Sequence, residues 1–501
     1  FATIIELRRM KIVGGPEMIG IFVVLCHVAF SLAHKEVFIY PTIVEERTTA
    51  GRLTLRLNDD ITLNLERSLV LAENLRFVTN YKGGHVLSMI DTSSIQENLY
   101  QDPQWQSSLK VVRNDGGVQV EGIIDSKRRI KPLLQSERSS RGQLLHSIYE
   151  VHEISDYTSE PAPAPESFLQ SGLSNTVSGF SNVNVTARTS EAAESFTVEL
   201  HVISDEYHQK HFGPMQALIE YISVMVTAVN LRFQSMLGLH IRFKLVGTTR
   251  SYDDTFATLL VGVLDTWRTL EGLVQYIKHG HVYGSFDALY LMSGRDLASI
   301  RSNGYVDKNV AGLAYVGQVC TIHAVAEGED VARSYAGVHT MAHELAHTLG
   351  ATHDPKDSSN CSWSQGFLMS YEDKGANKYR LSDCSQDEIR KVFKSLEVTC
   401  IQETATITFS TKNNGTLPGK KVTEDKFCEL IMRKYLKTKR IKGVAFSSMP
   451  RDLTSRCKMK CCYKNGTDTW CQVTDTLDGM KCADGNTCRR GICADHSRAE
   501  K

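Results

Sequence analysis

The pattern of hydrophobic and polar positions divides the chain into regions of different periodicity. Between residues 34 and 160, short apolar runs alternate with turn residues; the runs begin near Phe38, Leu53, Ile61 and Val118. Runs of about four to eight residues bounded by turns are typical of β-strands. This region is therefore predicted to be β-rich. A linker follows over residues 161–195, where alternating Pro and Ala give way to Ser-, Gly- and Asn-rich sequence.

From Phe196 the pattern changes to alternating strands and helices. The predicted elements are strands at 197–203, 241–246, 287–292 and 312–317 and a long helix at 215–237. Such alternation indicates a mixed sheet with flanking helices. Gly312, Leu313 and Ala314 are predicted to lie on an edge strand beside a cleft, where an extended peptide could add to the sheet.

A second helix is predicted just after this edge strand. One apolar stripe recurs at helical spacing, formed by Val338, Met341, Ala342, Leu345 and Leu349. The histidines of the same segment point away from the stripe on a helical wheel. The stripe is therefore expected to face the core, and the histidines to face a cleft.

This helix carries the spacing of a catalytic zinc site. His343 and His347 lie one turn apart on the same helix face, so both imidazoles can reach one ion. Gly350 permits the positive φ that ends a helix, and the turn brings His353 in as a third ligand. Three protein ligands leave a coordination position open for water. Glu344 is placed to accept a proton from that water.

Composition and charge exclude several classes of protein. The 57 basic and 57 acidic residues cancel, so net charge does not favour nucleic acid or membrane as a partner. Cysteine usage is more informative, because 12 of the 13 cysteines lie in the last third of the chain, from Cys320 onward. An even number of clustered cysteines predicts disulfides formed in an oxidising compartment. For those from Cys428 to Cys493, zinc ligation is the alternative, although paired CxxC knuckles are absent.

The first 33 residues are predicted to be a signal peptide. Arg8, Arg9 and Lys11 precede a short apolar run that ends in small residues near Ala33, the expected cleavage point. The chain opens on Phe, so Met10 or Met18 is the expected start. The run is short for a membrane span, and no other candidate span follows. We therefore expect a secreted protein without a membrane anchor.

A methionine sixteen residues after His353 strengthens the zinc assignment. Met369, in the sequence FLMSY, stands where the extended zinc motif has its Met-turn. Together with HELAHTLGATHD it resembles the metzincin metalloproteases. The segments around residues 198–200 and 287, and the run GLAYVGQVC, narrow the resemblance to the reprolysin (adamalysin) branch over residues 196–403. In character the sequence is most similar to the secreted salivary metalloproteases of ticks. Position 346 departs from the family pattern, because it is Ala where the family more often has Gly. This difference leaves the three zinc ligands unchanged.

The resemblance implies an α/β metzincin fold, with a mixed twisted sheet, one antiparallel edge strand, a zinc helix and a Met-turn. It implies a β-rich propeptide over residues 34–160, a maturation site within 161–195, and a small disulfide-rich, disintegrin-like domain over 404–501. The implied disulfides join Cys320 to Cys400 and Cys361 to Cys384. A structural calcium site is implied at Glu199, Asp287 and the Cys400 carbonyl, although Glu403 stands where the pattern has Asn.

The chain lacks the propeptide cysteine that keeps many relatives inactive before processing. Many relatives block the zinc with a propeptide cysteine, and this chain has no cysteine between Cys26 and Cys320. Any inhibition by the propeptide must then be steric or use another ligand.

The resulting hypothesis is a secreted zinc metalloendopeptidase that acts on extracellular proteins. Location and resemblance point to fibrinogen or matrix proteins, among which the residues do not discriminate. The alternative is a binding protein that engages matrix through its C-terminal domain, with the zinc domain as an inactive scaffold. An intact Glu344 and third ligand argue against that alternative. A basic stretch over residues 426–442 could contact glycosaminoglycans or be a solvated helix face. Sequons for glycosylation begin at Asn184, Asn360, Asn414 and Asn465.

Overall fold

The structure of the 501-residue chain is a computed structural model. The structure describes residues 36–494, with gaps at 48–51, 83, 115–116, 137, 155–161, 163–193, 301–303, 357–359, 373, 397, 402–422, 430–443, 466–467, 477–478 and 490–491. The predicted signal peptide, nearly all of the predicted linker, Glu403 and most of the basic stretch at 426–442 lie outside the described residues.

The N-terminal region consists almost entirely of strands, as its alternating pattern predicts. Its elements are β1 (Val37–Ile39), β2 (Thr42–Arg47), β3 (Arg52–Arg56), β4 (Thr62–Arg67), β5 (Leu71–Tyr81), β6 (Gly84–Asp91), helix α1 (Ser93–Gln96), β7 (Leu99–Asp102), β8 (Ser107–Asn114), β9 (Gly117–Ile123), β10 (Arg128–Pro132) and β11 (His146–Glu150). Nine of these strands form one antiparallel sheet in the order β1-β11-β10-β9-β8-β7-β4-β3-β2. Alternate residues such as Leu53, Leu55, Leu63 and Leu65 are buried on one face of this sheet.

A second sheet holds the α/β part of the chain. The elements are β12 (Glu194–Ser204), α2 (Glu206–Gln209), α3 (Met215–Phe233), β13 (Leu239–Ser251), β14 (Leu259–Leu260), β15 (Val263–Asp265), α4 (Thr266–Lys278), β16 (Ala288–Ser293), β17 (Leu297–Ile300), β18 (Val306–Asp307), β19 (Gly312–Ala314), β20 (Val325–Glu329), α5 (Val338–Thr348), α6 (Asp383–Ser395) and α7 (Val398–Ile401). The sheet order is β19-β20-β16-β12-β13-β5-β6, and β14, β15, β17 and β18 form a small separate sheet. Strands β20, β16, β12, β13 and β5 run parallel, and β19 and β6 are antiparallel at the two edges.

The hairpin β5–β6 is the main feature that the sequence pattern did not reveal. We predicted the region 34–160 to be a β-rich unit of its own. In the structure, β5 extends the seven-stranded sheet by pairing in parallel with β13, from Arg76 beside Gly247 to Asn80 beside Ser251. Periodicity shows that a segment is a strand but contains no information about its partner strand. The sheet thereby gains a second antiparallel edge.

Helix α3 lies between the two sheets. It is apolar nearly all round, and 14 of its residues are buried, as expected for a helix covered on several sides. Leu218 and Phe233 belong to the core that it shares with the seven-stranded sheet. On the other side, Ser108 of β8 donates a hydrogen bond to the Val224 carbonyl (2.7 Å), and Lys110 forms an ion pair with Glu220. The N-terminal region is therefore packed directly on the α/β part of the chain.

The C-terminal region is small and disulfide-linked. It contains β21 (Val444–Ser448), α8 (Arg451–Thr454), β22 (Lys458–Asn465), β23 (Asp468–Asp475), β24 (Thr487–Arg489) and β25 (Ile492–Ala494). The disulfides here are Cys428–Cys461, Cys457–Cys488, Cys462–Cys471 and Cys482–Cys493. A domain of this size has too small a core to be stable without such cross-links. Among the helices of the described residues, none has both the length and the apolar composition that a bilayer crossing requires.

Candidate metal centre

The zinc helix ends as its sequence predicts. Helix α5 stops at Thr348, and Gly350 adopts a positive φ of 114°. A Cβ at this position would lie 2.4 Å from Cγ2 of Val392, so only glycine fits. The Gly350 amide donates to the His347 carbonyl (2.8 Å), which closes the helix and turns the chain back. This turn carries His353 to the histidine face of α5.

The three histidines converge on one point. His353 Nε2 lies 3.0 Å from His343 Nε2 and 3.2 Å from His347 Nε2. Two nitrogens bound to one tetrahedral zinc at about 2.1 Å would be roughly 3.4 Å apart, close to the observed separations. All three side chains are largely buried within the described structure.

The protein fixes the protonation of two of these rings. His343 Nδ1 donates to the Leu368 carbonyl (2.9 Å), and His347 Nδ1 donates to the Ala351 carbonyl (2.7 Å). A carbonyl oxygen can only accept, so in each neutral ring the Nε2 atom presents a lone pair. Such partners at the second ring nitrogen are usual for histidines that bind a metal.

Burial keeps His347 and His353 neutral, as metal binding requires. Burial and the neighbouring His343 lower the pKa of His353 to about 3. Burial, followed by the charges of His343 and His353, holds the pKa of His347 well below its ordinary value. Neutral rings whose lone pairs face one another form a favourable site for a cation. A donor set of three converging imidazole nitrogens therefore fits Zn²⁺.

The side chain of Glu344 extends from the zinc helix toward the edge strand. Its side chain is buried, and its Cγ would be only 2.8 Å from a Cβ built on Gly312. The same Cβ would lie 2.8 Å from Thr340 Cγ2. The strand therefore approaches the helix this closely because residue 312 has no side chain.

The predicted edge strand lies beside this carboxylate and is shorter than predicted. Gly312, Leu313 and Ala314 form β19, which pairs antiparallel with β20. The strand ends before Gly317, where φ is 66° and the amide donates to the His347 carbonyl (2.9 Å). The chain thus turns toward the zinc helix earlier than the apolar pattern indicates.

The outer side of the edge strand is occupied by a residue of the predicted linker. The Ala162 amide donates to the Ala314 carbonyl (2.9 Å), and the Val316 amide donates to the Ala162 carbonyl (3.2 Å). Ala162 is fully buried and forms a parallel bridge with Tyr315. It therefore uses the backbone groups that a bound peptide would need.

Met369 belongs to a loop that contacts two of the three histidines. Met369 is fully buried, and its preceding carbonyl accepts from His343. Tyr371 Oη lies 2.8 Å from His353 Nδ1, a contact that the sequence analysis did not predict. Asp354 accepts hydrogen bonds from Ser370 (2.7 Å) and Ser382 (2.5 Å), which ties the end of the zinc motif to this loop and to α6.

The residues of the predicted calcium site are brought together in part. The Glu199 amide donates to Asp287 Oδ2 (2.8 Å), and the Cys320 amide donates to the Asp287 carbonyl (2.8 Å). Burial and, to a smaller extent, the charge of Glu199 raise the pKa of Asp287 to about 7. Cys400 is disulfide-bonded to Cys320 and so lies beside this carboxyl group.

All twelve cysteines from Cys320 onward are paired in the structure. The bonds Cys320–Cys400 and Cys361–Cys384 are the two pairs that the resemblance implied. A cluster formed by Cys457, Cys482 and Cys488 has the proximity of a metal site. Each of its sulfurs is already in a disulfide, so no thiolate is available and the alternative of zinc ligation there is not supported.

A buried ion cluster next to the site was also missed by the sequence analysis. Glu153, from the end of the N-terminal region, contacts Arg129 (3.2 Å), Arg232 (3.3 Å) and Lys378 (3.0 Å). These partners are far apart in sequence and belong to no motif, so no sequence pattern could have predicted the cluster.

Comparisons with known proteins agree with this geometry. Residues 197–405 match the sequence model of the Reprolysin (M12B) family zinc metalloprotease. The chain is 27% identical over 354 residues to the venom metalloproteinase antarease-like TtrivMP_A of Tityus trivittatus, covering 66% of this chain and 86% of that protein. It is 25% identical to the venom metalloproteinase BumaMPs1 of Olivierus martensii, covering 73% and 92%. The crystal structure of archaemetzincin from Methanopyrus kandleri matches with a TM-score of 0.26 and 16% identity, over 39% of this chain and 96% of that one. That structural similarity is too low to support an inference.

Proposed function

Because residues 197–405 form a reprolysin-type metzincin domain of the zinc metalloendopeptidase class, we propose that His343, His347 and His353 hold its zinc and that Glu344 is its general base. The observation that carries this proposal is the convergence of three Nε2 atoms within 3.0–3.2 Å of His353 Nε2. Zinc bound there supplies a Lewis acid that acidifies water and polarises a peptide carbonyl.

The residues of the chain have separate tasks in peptide hydrolysis. Glu344 takes the proton of the attacking water and delivers it to the leaving amine. The Leu368 and Ala351 carbonyls hold the first two rings in one tautomer. Met369 forms an apolar floor that excludes water from below. The edge strand Gly312–Ala314 binds the substrate backbone by β-augmentation.

We propose that the N-terminal region, residues 34–160, is a propeptide and that maturation occurs within 161–195. The hydrogen bonds of Ala162 support a steric form of latency, because they occupy the edge strand on which a substrate would lie. Such inhibition requires no cysteine, in agreement with its absence from this region. In this arrangement the catalytic domain spans 196–403 and the cysteine-rich domain spans 404–501.

We propose that the enzyme is secreted and acts on extracellular proteins, with fibrinogen and matrix proteins as first candidates. The disulfides support an oxidising compartment. The apolar segment before Ala33 is interpreted as the signal peptide. The relatives from Tityus trivittatus and Olivierus martensii carry names that describe them as venom metalloproteinases.

Two accessory sites belong to the same proposal. Glu199, Asp287 and the Cys400 carbonyl would hold a structural Ca²⁺, which prefers oxygen ligands. Ionisation of Asp287 would be favoured by such an ion, which would lower the pKa that burial now raises.

The C-terminal domain would contact acidic matrix chains. Lys458, Lys460 and Lys464 of β22 are exposed and lie on one face of the strand, because their spacing is even. Clustered lysines on one face attract sulfated glycosaminoglycans by charge.

The test of the proposed function is Glu344→Gln in the processed enzyme. The amide cannot accept the proton, so kcat/KM for a peptide substrate should fall by about 10²- to 10⁴-fold. Zinc content and the thermal unfolding midpoint should stay unchanged, because the three ligands remain. Glu271→Gln, on the exposed face of α4, is the matched control. Wild-type turnover in the Glu344 variant would refute the assignment.

A further inference from the structure

Glu153 fills a pocket beside the zinc helix with a buried carboxylate. Its side chain is 3% exposed and contacts the side chains of Arg129, Arg232 and Lys378. Burial raises the pKa of this group, but the charges of Arg232, Lys378 and Arg129 outweigh that effect and hold the pKa below its ordinary value. The group is therefore ionised, and its charge is matched by cations of the protein.

The cations of the pocket come from two parts of the chain. Arg129 lies on β10 of the N-terminal region, and its guanidinium also donates to the Ser334 carbonyl (3.1 Å). Arg232 belongs to α3, and Lys378 belongs to the loop between Met369 and α6. When the N-terminal region leaves, Arg129 and Glu153 leave together. Arg232 and Lys378 stay, and both lose the carboxylate that they share.

Contacts within the catalytic domain hold Arg232 in place after the N-terminal region leaves. Arg232 is 2% exposed, donates to the Ala228 carbonyl (3.1 Å) and lies over the ring of Tyr379. Lys378 is 13% exposed. These exposed fractions are those of the uncleaved chain; after the N-terminal region leaves, the contacts with Ala228 and Tyr379 still hold Arg232 in place. A cation that is already positioned attracts an anion more strongly than a mobile surface charge does.

The pocket lies where a side chain of the substrate would enter. Ile154, next to Glu153, accepts a hydrogen bond from Thr340 Oγ1 (2.8 Å), and its amide donates to the Ala336 carbonyl (2.8 Å). Thr340 lies one turn before His343 on α5 and borders Gly312 of the edge strand. The backbone at Glu153 and Ile154 therefore runs past the zinc helix close to the path proposed for the substrate.

We propose that this pocket, formed by Arg232 and Lys378 between α5 and the loop after Met369, binds an acidic side chain of the substrate, and that Glu153 imitates that side chain in the uncleaved chain. The inference rests on the proposed function and adds to it a substrate class. The enzyme should select peptides that carry Glu or Asp next to the cleaved bond.

The first test does not depend on catalysis and uses the full chain. Glu153→Ala removes the carboxylate that the buried cations share, so the unfolding midpoint should fall by roughly 6–10 °C. Acetate has the size of the missing group and should restore most of that loss. Acetamide, which is uncharged and of the same shape, and chloride at equal ionic strength should not. Glu150→Ala, at an exposed position three residues earlier, should show neither effect. Equal restoration by acetate and acetamide, or none by acetate, would overturn the proposed carboxylate pocket.

The second test measures selectivity in the processed enzyme after removal of the N-terminal fragment. A peptide library should show at least a roughly tenfold preference for Glu over Gln at one position adjoining the cleaved bond. Lys378→Glu should abolish that preference or shift it toward Lys and Arg. Lys374→Glu, an exposed lysine of the same loop, should leave it intact.

The outcomes separate the two proposals. Cleavage without any acidic preference, or a preference that survives Lys378→Glu, overturns the inference while the proposed function stands. A wild-type enzyme that contains zinc and cleaves no peptide overturns the proposed function. Rescue of Glu153→Ala by acetate still decides in that case whether the pocket selects carboxylates.

Discussion

At the scale of single residues, Glu327 is notable because it is a carboxyl group buried in the catalytic domain. It lies on β20 opposite Leu313, is fully buried, and neither of its carboxyl oxygens has a hydrogen-bond partner among the described residues. Burial, and then the charges of Glu344 and Asp265, raise the pKa of Glu327 well above its ordinary value. A buried carboxyl group in such surroundings is neutral and destabilises the fold when it ionises.

Glu327 should therefore make stability fall as pH rises. The folded state binds the proton more tightly than the unfolded state, so unfolding free energy decreases from about pH 4.3 upward until the raised pKa is reached. Each pH unit in that window costs about 1.4 kcal/mol. Glu327→Gln should remove this slope, so the variant should gain stability over wild type between pH 5 and pH 8. Denaturant unfolding at both pH values measures the difference.

The control is again Glu271→Gln, an exposed glutamate whose loss should leave the slope unchanged. An identical pH dependence in wild type and Glu327→Gln would show that Glu327 has an ordinary pKa.

At the scale of elements, the proposed metal centre depends on three segments that meet. Helix α5 contributes two histidines, the turn at Gly350 contributes the third, and the Met-turn loop orients two rings. The loop acts through one backbone carbonyl, at Leu368, and one side chain, Tyr371. Only the side-chain contact can be removed by substitution without moving the backbone.

Tyr371→Phe should weaken zinc binding and leave the fold intact. The substitution removes the hydrogen bond to His353 Nδ1 and keeps the aromatic contacts of the ring with His353 and Trp363. Loss of the hydrogen-bond partner at the second ring nitrogen of a metal-binding histidine typically reduces metal affinity or activity by about 10- to 100-fold. Competition with a chromogenic chelator measures the affinity of the variant.

Tyr379→Phe, in the same loop but directed at Arg232, is the matched control and should bind zinc as wild type does. Unchanged affinity in the Tyr371 variant would show that this tyrosine does not position His353.

At the scale of the whole molecule, the N-terminal region and the catalytic domain share one sheet. The hairpin β5–β6 continues that sheet beyond β13, and His85 of β6 stacks on His281 with ring centroids 4.9 Å apart. Burial and the charge of His281 lower the pKa of His85, and burial lowers the pKa of His281 as well. A cut in the linker therefore leaves two parts that remain held together by strand pairing.

The association of these parts should weaken in acid. Both histidines titrate at lower pH in the assembled protein than when separated, so the stabilisation is present above about pH 6.5 and decreases as pH falls through that value. After proteolysis within 161–195, the two fragments should co-elute in gel filtration at pH 7.5 and separate more readily at pH 5.5. His85→Asn should flatten this dependence, and His240→Asn, at an exposed position of β13, should not. Fragments that separate immediately at pH 7.5 would contradict the prediction.

The sequence predicted the local parts of the molecule closely. The apolar stripe that predicted helix α5 runs from Val338 to Leu349, and the helix spans Val338–Thr348, because the stripe and the terminating glycine are adjacent in the chain. The positive φ of Gly350 was predicted for the same reason and is confirmed. The edge strand was predicted too long, since the turn at Gly317 depends on a contact with His347 that no pattern reveals.

By itself, the sequence determined the zinc motif, the strand-rich and α/β regions and the clustering of cysteines, because each depends on residues close together in the chain. Only the tertiary structure decided which sheet the hairpin β5–β6 joins, that Tyr371 supports His353, and that Glu153 fills a cationic pocket. Those contacts join residues distant in sequence, from 18 positions apart for His353 and Tyr371 to 225 for Glu153 and Lys378. Their energies depend on burial and distance, which arise only when the chain has folded.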